Sequence, residues 1–253
     1  ADATISFSEA LTIDASGNLI IANTGGTLYT TTAGTSNFRA GVNAGNSIVS
    51  TSGGGNYNVV VGDEAGTAIT TGDQNTALGN NALQAVNTGS NNTGIGAAAG
   101  DALTVGTLNT ALGVASLTAD TTGSKSTAIG TFTLNAQNFT TATDTHNTAV
   151  GYSAGVSVTT GIQNTLIGSL AGDALTGNGF SGSTRTAGAD FNTALGWGTL
   201  SSDTKGNQST AIGYGALVTQ NFTTATDTAN TAVGYNAGTL VNTGYSLTFV
   251  GAN

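Results

Sequence analysis

The sequence predicts an all-β fold, a parallel β-solenoid of about 11–12 coils with a 17-residue repeat and loop insertions. Three observations predict it: a five-residue phrase recurs along the chain, side chains alternate within each phrase, and Gly, Asn and Thr fill the segments between phrases. Alternation with a period of two is typical of a strand. One short coil cannot bury its own aliphatic side chains, so neighbouring coils must stack at about 4.8 Å.

Residues 1–36 do not follow the repeat and are predicted to be a separate N-terminal segment. Leu11 and Ile13 alternate with polar residues, and residues 14–18 supply turn formers before the apolar run 19–21. This order predicts one or two hairpins. We expect the segment to cap the solenoid or to connect it to another module.

Residues 37–253 carry the repeat and form the predicted solenoid domain. A typical copy is Asn75-Thr76-Ala77-Leu78-Gly79, and most copies follow one another at intervals of 17 residues. Longer intervals of 21 and 28 residues place their insertions between phrases, so the strands stay in register while loops grow outward. The glycines that close the copies are Gly41, Gly62, Gly79, Gly96, Gly113, Gly130, Gly151, Gly168, Gly196, Gly213, Gly234 and Gly251.

Stacking aligns equivalent residues into columns along the solenoid axis. The aliphatic residue before each glycine is expected to form the core: Leu78, Ile95, Leu112, Ile129, Val150, Ile167, Leu195, Ile212 and Val233. The residue that opens each phrase is expected to form a hydrogen-bonded ladder: Asn75, Asn92, Asn109, Ser126, Asn147, Asn164, Asn192, Ser209 and Asn230. The small residue at the middle of each phrase implies close approach of another surface.

The threonine of each phrase lies two residues before the aliphatic residue, and therefore on the same side of the strand. Because the aliphatic residue is expected to face the core, the threonine is expected to point inward as well. This expectation argues against an ice-binding face made of threonine.

Composition excludes several classes of protein. Charged residues make up 7% of the chain, and 13 acidic against 4 basic residues give a net charge of −9. Nucleic-acid binding requires clustered cations, and the chain has only Arg39, Lys125, Arg185 and Lys205. The chain lacks cysteine, which excludes disulfides and thiolate chemistry. No apolar run approaches the roughly 20 residues of a membrane span, so membrane insertion is not expected.

The sequence contains no arrangement of residues that favours catalysis. The single histidine, His146, has Asp144 as its one ionisable neighbour, and its equivalent in the duplicated half is Ala229. The adjacent pair Asp63 and Glu64 is interpreted as a solvated turn. We expect no enzymatic activity and no cofactor. Calcium in the turns is the alternative, but the aspartates that would bind it are scattered singly: Asp73, Asp101, Asp120, Asp173, Asp190 and Asp203.

Aromatic residues supply the candidate contacts with a receptor, a glycan or another subunit. Three consecutive coils carry an aromatic residue directly after the repeat glycine, which predicts a stacked column of Trp197, Tyr214 and Tyr235. Aromatic rings suit sugars and apolar contacts, and packing at the corner of the coil is the alternative. The candidates are Tyr152, Trp197, Tyr214 and Tyr235 in this column, and Phe139, Phe222, Phe180 and Arg185 in the insertions.

The phrase Asn/Ser-Thr-Ala-aliphatic-Gly-x-x-Ala, as in 147–154 and 209–216, resembles the head repeats of trimeric autotransporter adhesins (YadA-like heads). It is also similar to repeats of bacteriophage tail-fibre proteins. The resemblance covers about residues 37–253 and implies a left-handed parallel β-roll, three chains around one axis, and attachment to a surface. The family's coil is shorter, and its stalk and membrane barrel are not in this sequence, which favours a fibre segment. Only the scaffold phrase matches, so the resemblance assigns no receptor-contacting residue.

These observations predict a non-enzymatic structural fibre segment that forms a homotrimer and mediates attachment to a cell-surface receptor or glycan. The expected location is extracellular, on a virion appendage or a cell-surface fibre. The alternative is a subunit of a homopolymeric filament, in which the open edge of the last coil receives an N-terminal strand from the next copy.

Overall fold

A computed structural model describes the protein in two units, residues 1–31 and 32–253. In the first unit, β1 (Leu11–Ile13) pairs antiparallel with β2 (Leu19–Ile21), which is the pairing expected of the predicted hairpin. The units divide at residue 31, whereas the repeat alone places the boundary at residue 36. The residues that the structure describes are 11–13, 19–21, 36–49, 54–177, 180–181, 184–185 and 188–253.

The second unit is a β-solenoid built on one parallel sheet of twelve strands. Each strand consists of the three central residues of one repeat phrase and pairs in register with the next, as Thr76 does with Thr93 and Leu78 with Ile95. No helix occurs in the described part of the chain. The predicted fold class and number of coils are therefore confirmed. The twelve strands are β3 (Phe38–Ala40), β4 (Val59–Val61), β5 (Thr76–Leu78), β6 (Thr93–Ile95), β7 (Thr110–Leu112), β9 (Thr127–Ile129), β11 (Thr148–Val150), β12 (Thr165–Ile167), β15 (Thr193–Leu195), β17 (Thr210–Ile212), β19 (Thr231–Val233) and β20 (Thr248–Val250).

The longer coils add small ladders without disturbing this sheet. Two pairs are parallel, β8 (Gly123–Ser124) with β10 (Thr143–Asp144) and β16 (Gly206–Asn207) with β18 (Thr226–Asp227). One pair in the longest insertion is antiparallel, β13 (Phe180–Ser181) with β14 (Thr184–Arg185). The insertions therefore lie outside the main register, because β12 and β15 still pair across the 28-residue coil.

The predicted asparagine ladder is present and buried. The Asn92 backbone N–H donates to Asn75 Oδ1 at 3.0 Å, and Asn92 Nδ2 donates to the Gly106 carbonyl at 2.8 Å. Neighbouring coils repeat the first bond, as Asn109 does with Asn92 at 3.0 Å. Because buried polar groups require partners, the ladder stabilises each coil against the next.

The repeat glycine is required by both its backbone and its neighbour. Gly113 has φ of +134°, a conformation that favours glycine. A Cβ atom at this position would lie 2.5 Å from the carbonyl carbon and oxygen of Gly130 in the next coil. The close spacing of the coils therefore depends on glycine at this position.

The core differs from the predicted one. The middle residue is buried in every strand of the sheet except the first and the last, as Ala111 is, whereas the aliphatic residue after it is exposed or partly exposed, with Leu78 at 46% and Leu112 at 42%. The core instead combines the middle residues with apolar side chains four and seven residues after the repeat glycine, such as Leu83 and Leu103. The prediction that the aliphatic column forms the core is wrong, and so is the prediction that the threonine points inward.

The chain's own core explains why the middle residue is small. A Cβ atom at Gly94 would lie 2.6 Å from Leu83 Cγ, so a large residue at the middle of β6 has no room. Where the middle residue of a strand is large, a glycine packed against it leaves room for its side chain. Leu166 Cδ1 and Cδ2 occupy the space beside Gly155 and Gly172, at 2.7 and 2.8 Å from the positions of their absent Cβ atoms. The small residues thus reflect packing inside the coil and not an approaching second surface.

Candidate functional site

The outer face of the main sheet presents two parallel rows of side chains. We define the outer face as the residues at the first and third positions of the strands, because the middle residues face inward. The first row is Thr76, Thr93, Thr110, Thr127, Thr148, Thr165, Thr193, Thr210, Thr231 and Thr248. The second row is Val61, Leu78, Ile95, Leu112, Ile129, Val150, Ile167, Leu195, Ile212, Val233 and Val250. Neither row contains an ionisable group.

The hydroxyl groups of the threonine row have no hydrogen-bond partner within the described part of the chain. Other threonines of the solenoid do have partners. Thr104 Oγ1 donates to the Thr121 carbonyl at 2.9 Å, and Thr133 Oγ1 donates to the Gly130 carbonyl at 2.8 Å. The row therefore offers one donor and one acceptor per coil to a partner outside the chain.

The aliphatic row makes the outer face apolar along its length. The row has eleven members, from Val61 to Val250, and its ten intervals of about 4.8 Å give a length of roughly 50 Å. Partial exposure of single aliphatic side chains is common, whereas a contiguous apolar strip is typical of an interaction site. The outer face is the first candidate functional site.

The three predicted aromatic residues form a stacked aromatic ladder, defined as Trp197, Tyr214 and Tyr235. The ring centroids of Trp197 and Tyr214 lie 4.8 Å apart with planes 13° from parallel, and those of Tyr214 and Tyr235 lie 5.3 Å apart at 12°. Their side chains are 47%, 47% and 55% exposed. The predicted stacking is confirmed, and the aromatic ladder is the second candidate site.

Tyr152 lies in an earlier coil and does not join the ladder. Its ring meets Phe132 edge to face, with centroids 6.2 Å apart and planes at 76°. Phe132 was not predicted as a site residue, although it follows its repeat glycine by two positions. The spacing of aromatic residues on successive coils is the signal that identifies this second contact.

The predictions for the insertion residues have to be corrected in part. Phe139 is 1% exposed and Phe222 is 7% exposed, so both rings are enclosed by the chain and offer no surface to a receptor. Their backbone N–H groups donate to the buried carboxylates of Asp120 and Asp203. The side chains of Phe180 and Arg185 lie outside the described residues.

A buried polar pair, which sequence reasoning missed, replaces apolar side chains in the core where the 21-residue coils 130–151 and 213–234 stack on the coils before them. Gln137 Nε2 donates to Asp120 Oδ2 at 2.6 Å, and the Gly123 backbone N–H donates to Asp120 Oδ1 at 3.1 Å. Gln220 and Asp203 repeat the first bond at 2.6 Å. Burial raises the pKa of both carboxyl groups. The signal was the recurrence of Asp and Gln at the same offset in the duplicated halves.

The remaining polar residues show no arrangement suited to metal binding or catalysis. Among the described residues, no three His, Cys, Asp or Glu side chains lie close enough together to hold a metal ion. Lys125 Nζ contacts Asp144 Oδ2 at 2.6 Å, and this hydrogen bond lowers the pKa of the exposed Asp144 carboxyl group. Glu64 accepts hydrogen bonds from Asn43 and Thr67.

The described residues include no helix with the length and hydrophobicity needed to cross a membrane. Comparison of the chain with models of protein families, with curated proteins and with solved structures finds no match.

Proposed function

We propose that the chain is a non-enzymatic structural segment of an extracellular fibre, that it associates as a homotrimer, and that it mediates attachment to a surface. The observation that carries the proposal is the outer face, a row of aliphatic side chains beside a row of unpaired threonine hydroxyls. The repeat phrase supports three copies around one axis through its resemblance to adhesin heads and tail-fibre proteins. The location is a virion appendage or a cell-surface fibre.

The chemistry of the outer face favours a second copy of the same chain as its partner. A threonine hydroxyl both donates and accepts, so two threonine rows can satisfy each other. The aliphatic row of one copy can also pack against the aliphatic row of another. The net charge of −9 would oppose association through charged surfaces, and the outer face carries no charge. Identical faces can therefore pack along their whole length.

The stacked coils supply the rigidity that a fibre needs. Every strand of the main sheet bonds to its neighbours, and the buried asparagine ladder adds side-chain bonds between coils, as Asn109 Nδ2 does with the Gly123 carbonyl at 2.9 Å. Bending the stack would break both sets of bonds. Loops inserted between the phrases are then free to vary without loss of the scaffold.

Sedimentation equilibrium of the full chain tests the proposal. We expect a species of three times the chain mass. The paired substitution Leu112→Glu and Ile129→Glu places like charges in every subunit contact and should give monomers that keep the wild-type circular dichroism. Val114→Glu is the control because Val114 is exposed but lies off the outer face. A wild-type monomer at all concentrations contradicts the proposal, and an open-ended polymer supports the filament alternative.

Ice binding is a second candidate function, favoured by the outward position of the threonine row. Hydroxyl and methyl groups repeat along one face at a constant interval of about 4.8 Å, and such a regular array can order water. Thermal hysteresis of the wild-type protein that disappears in Thr127→Lys with Thr148→Lys would support this function. Trimers that bury the outer face and show no hysteresis would exclude it.

A further inference from the structure

We propose that the aromatic ladder and the open surface beside it bind a neutral polysaccharide chain that runs along the solenoid axis. The inference rests on the proposed attachment function and names the chemical class of the attached surface. It uses a column of residues separate from the outer face, because the ladder residues follow the repeat glycines instead of preceding them.

The other coils show that the fold does not require aromatic residues in this column. The equivalent positions in other coils hold Asn80, Ala97, Thr131 and Ser169, while the strand and glycine geometry stays the same. Stacking of the rings stabilises the column, yet each ladder side chain remains about half exposed. Three successive exposed rings are typical of a contact surface.

Glycines open the surface next to the ladder. Gly198 and Gly215 stand two residues after the repeat glycine, with φ of +61° and +62°. Nine other coils have a side chain at this position, at φ between 51° and 59°, so the backbone does not demand glycine. A Cβ atom at Gly198 would meet nothing within 4 Å, and one at Gly215 would lie 2.6 Å from Asn236 Oδ1. The surface beside the ladder is therefore open backbone at Gly198, and the Asn236 amide lies over Gly215.

The electrostatics of the ladder suit an oxygen-rich ligand. Tyr214 lies between the other two rings, so both of its faces are covered and the ladder presents ring edges along its length. The edge of an aromatic ring is the positive part of its quadrupole and attracts oxygen atoms. The two phenol hydroxyls and the indole N–H make no hydrogen bond within the described part of the chain.

A neutral glycan chain fits these features better than an anionic one. Ring edges, hydroxyls and the Asn236 amide can each bond to sugar hydroxyls. The chain carries a net charge of −9, which would repel an anionic polymer. Successive rings lie 4.8 and 5.3 Å apart, close to the length of one pyranose unit, so that each ring faces one sugar.

Affinity electrophoresis of the full chain tests the proposal, with dextran, mannan or laminarin in the gel and alginate as the anionic arm. We expect at least one neutral polysaccharide to retard the wild type. Trp197→Thr and Gly198→Asn, which introduce residue types found in other coils, should each weaken binding about tenfold or more. Tyr152→Thr is the matched control, because its ring lies outside the ladder, and should bind like the wild type.

The absence of retardation by every neutral polysaccharide overturns the proposal, as does retardation by alginate alone. Wild-type binding by both Trp197→Thr and Gly198→Asn also overturns it. Sedimentation of the same samples measures trimer formation independently of polysaccharide binding. A trimer that is not retarded contradicts only the glycan site, and a retarded monomer contradicts only the homotrimer.

Discussion

Gln137 donates a hydrogen bond of 2.6 Å to the carboxylate of Asp120 inside the solenoid core, in a column where other coils carry Val86 and Leu103. Gln137 Oε1 in turn accepts from Asn147 Nδ2 at 2.8 Å. The pair therefore connects the core to the asparagine ladder in a coil that carries an insertion. An equivalent pair serves the duplicated coil.

The first prediction is that the protein becomes less stable as pH rises from acid to neutral. Burial raises the pKa of Asp120 and Asp203 above 3.8, and it also raises those of Asp101 and Asp173. The folded state thus holds these protons more tightly than the unfolded state. Their contribution to stability is complete below pH 3.8 and is lost as pH rises through the folded pKa values. Urea unfolding should show a higher midpoint at about pH 3.5 than at neutral pH.

The exposed Asp144 opposes this trend, because its pKa is lowered by the hydrogen bond from Lys125. Four buried or partly buried carboxyl groups have a raised pKa and one exposed group has a lowered pKa, so the net change in stability with rising pH is a decrease. An unfolding midpoint that increases steadily from pH 3.5 to neutral pH would contradict the prediction.

The second prediction compares Asp120, whose carboxylate accepts a hydrogen bond from the Gln137 side chain, with Asp101, whose carboxylate is bonded by backbone groups. Asp120→Asn replaces one carboxylate oxygen by an NH2 group, so that either the Gln137 N–H or a backbone N–H loses its acceptor. The free energy of unfolding should fall by about 1–3 kcal/mol at neutral pH. Asp101→Asn is the control, because Asp101 Oδ1 is buried without a hydrogen bond and the carboxyl group is bonded by the backbone of Asp101 and Ala102, so that no side-chain donor loses its acceptor. Urea unfolding of both variants measures the difference. Equal losses would show that the Gln137 bond contributes nothing.

The sequence predicts the coils and their register well because each phrase repeats with few changes and loops enter only between phrases. It does not determine which side of the strand faces inward. The alternation of Thr76, Ala77 and Leu78 is the same whether Ala77 or Leu78 faces inward. Hydrophobicity alone favours Leu78 as the core residue. The structure places Ala77 inside because Leu83 already fills the interior.

The glycines that pack against large middle residues are the sequence signal that identifies the inward side of the strand. A large middle residue coincides with glycine four positions after the repeat glycine, as Val60 does with Gly66 and Leu166 with Gly172. The stacked ladder was predictable because it needs only the register. The burial of Phe139 was not, because its loop folds back onto Asp120, a contact between residues far outside the strand pattern.

The third prediction tests the orientation of the strands directly. Ala111→Leu adds volume to the closed interior and should cost about 1–3 kcal/mol. Leu112→Ala removes atoms from an exposed side chain and should change the stability of the isolated chain by less than about 1 kcal/mol. Urea unfolding compares the two variants under conditions where the chain is monomeric. The reverse order of stabilities would show that the aliphatic row is the core after all.

The fourth prediction concerns the repeat glycine. Gly113→Ala brings a Cβ atom to 2.5 Å from the Gly130 backbone at a φ of +134° and should cost about 3 kcal/mol or more. Gly198→Ala is the control, since its φ is also positive but its Cβ would meet open space. The control should cost about 1–2 kcal/mol. Similar losses in chemical denaturation would show that conformation, and not contact between coils, explains the repeat glycine.

The fifth prediction uses the exchange of volume between Leu166 and Gly172. Leu166→Ala leaves a cavity and should cost about 2–5 kcal/mol. Gly172→Leu alone forces its side chain against Leu166 Cδ2 and Leu175 Cδ1, each 2.8 Å from the Cβ position, and should also be destabilising. The double variant pairs alanine with leucine as Ala111 and Leu117 are paired in another coil, with leucine at a φ of 52°, and Leu175 takes the position that Asp120 has in that coil. It should be more stable than the sum of the single changes by about 1–3 kcal/mol, measured as a double-mutant cycle in urea. If the losses of unfolding free energy in the two single variants simply add in the double variant, the two residues do not share one space. The explanation given above for the small middle residues would then be wrong.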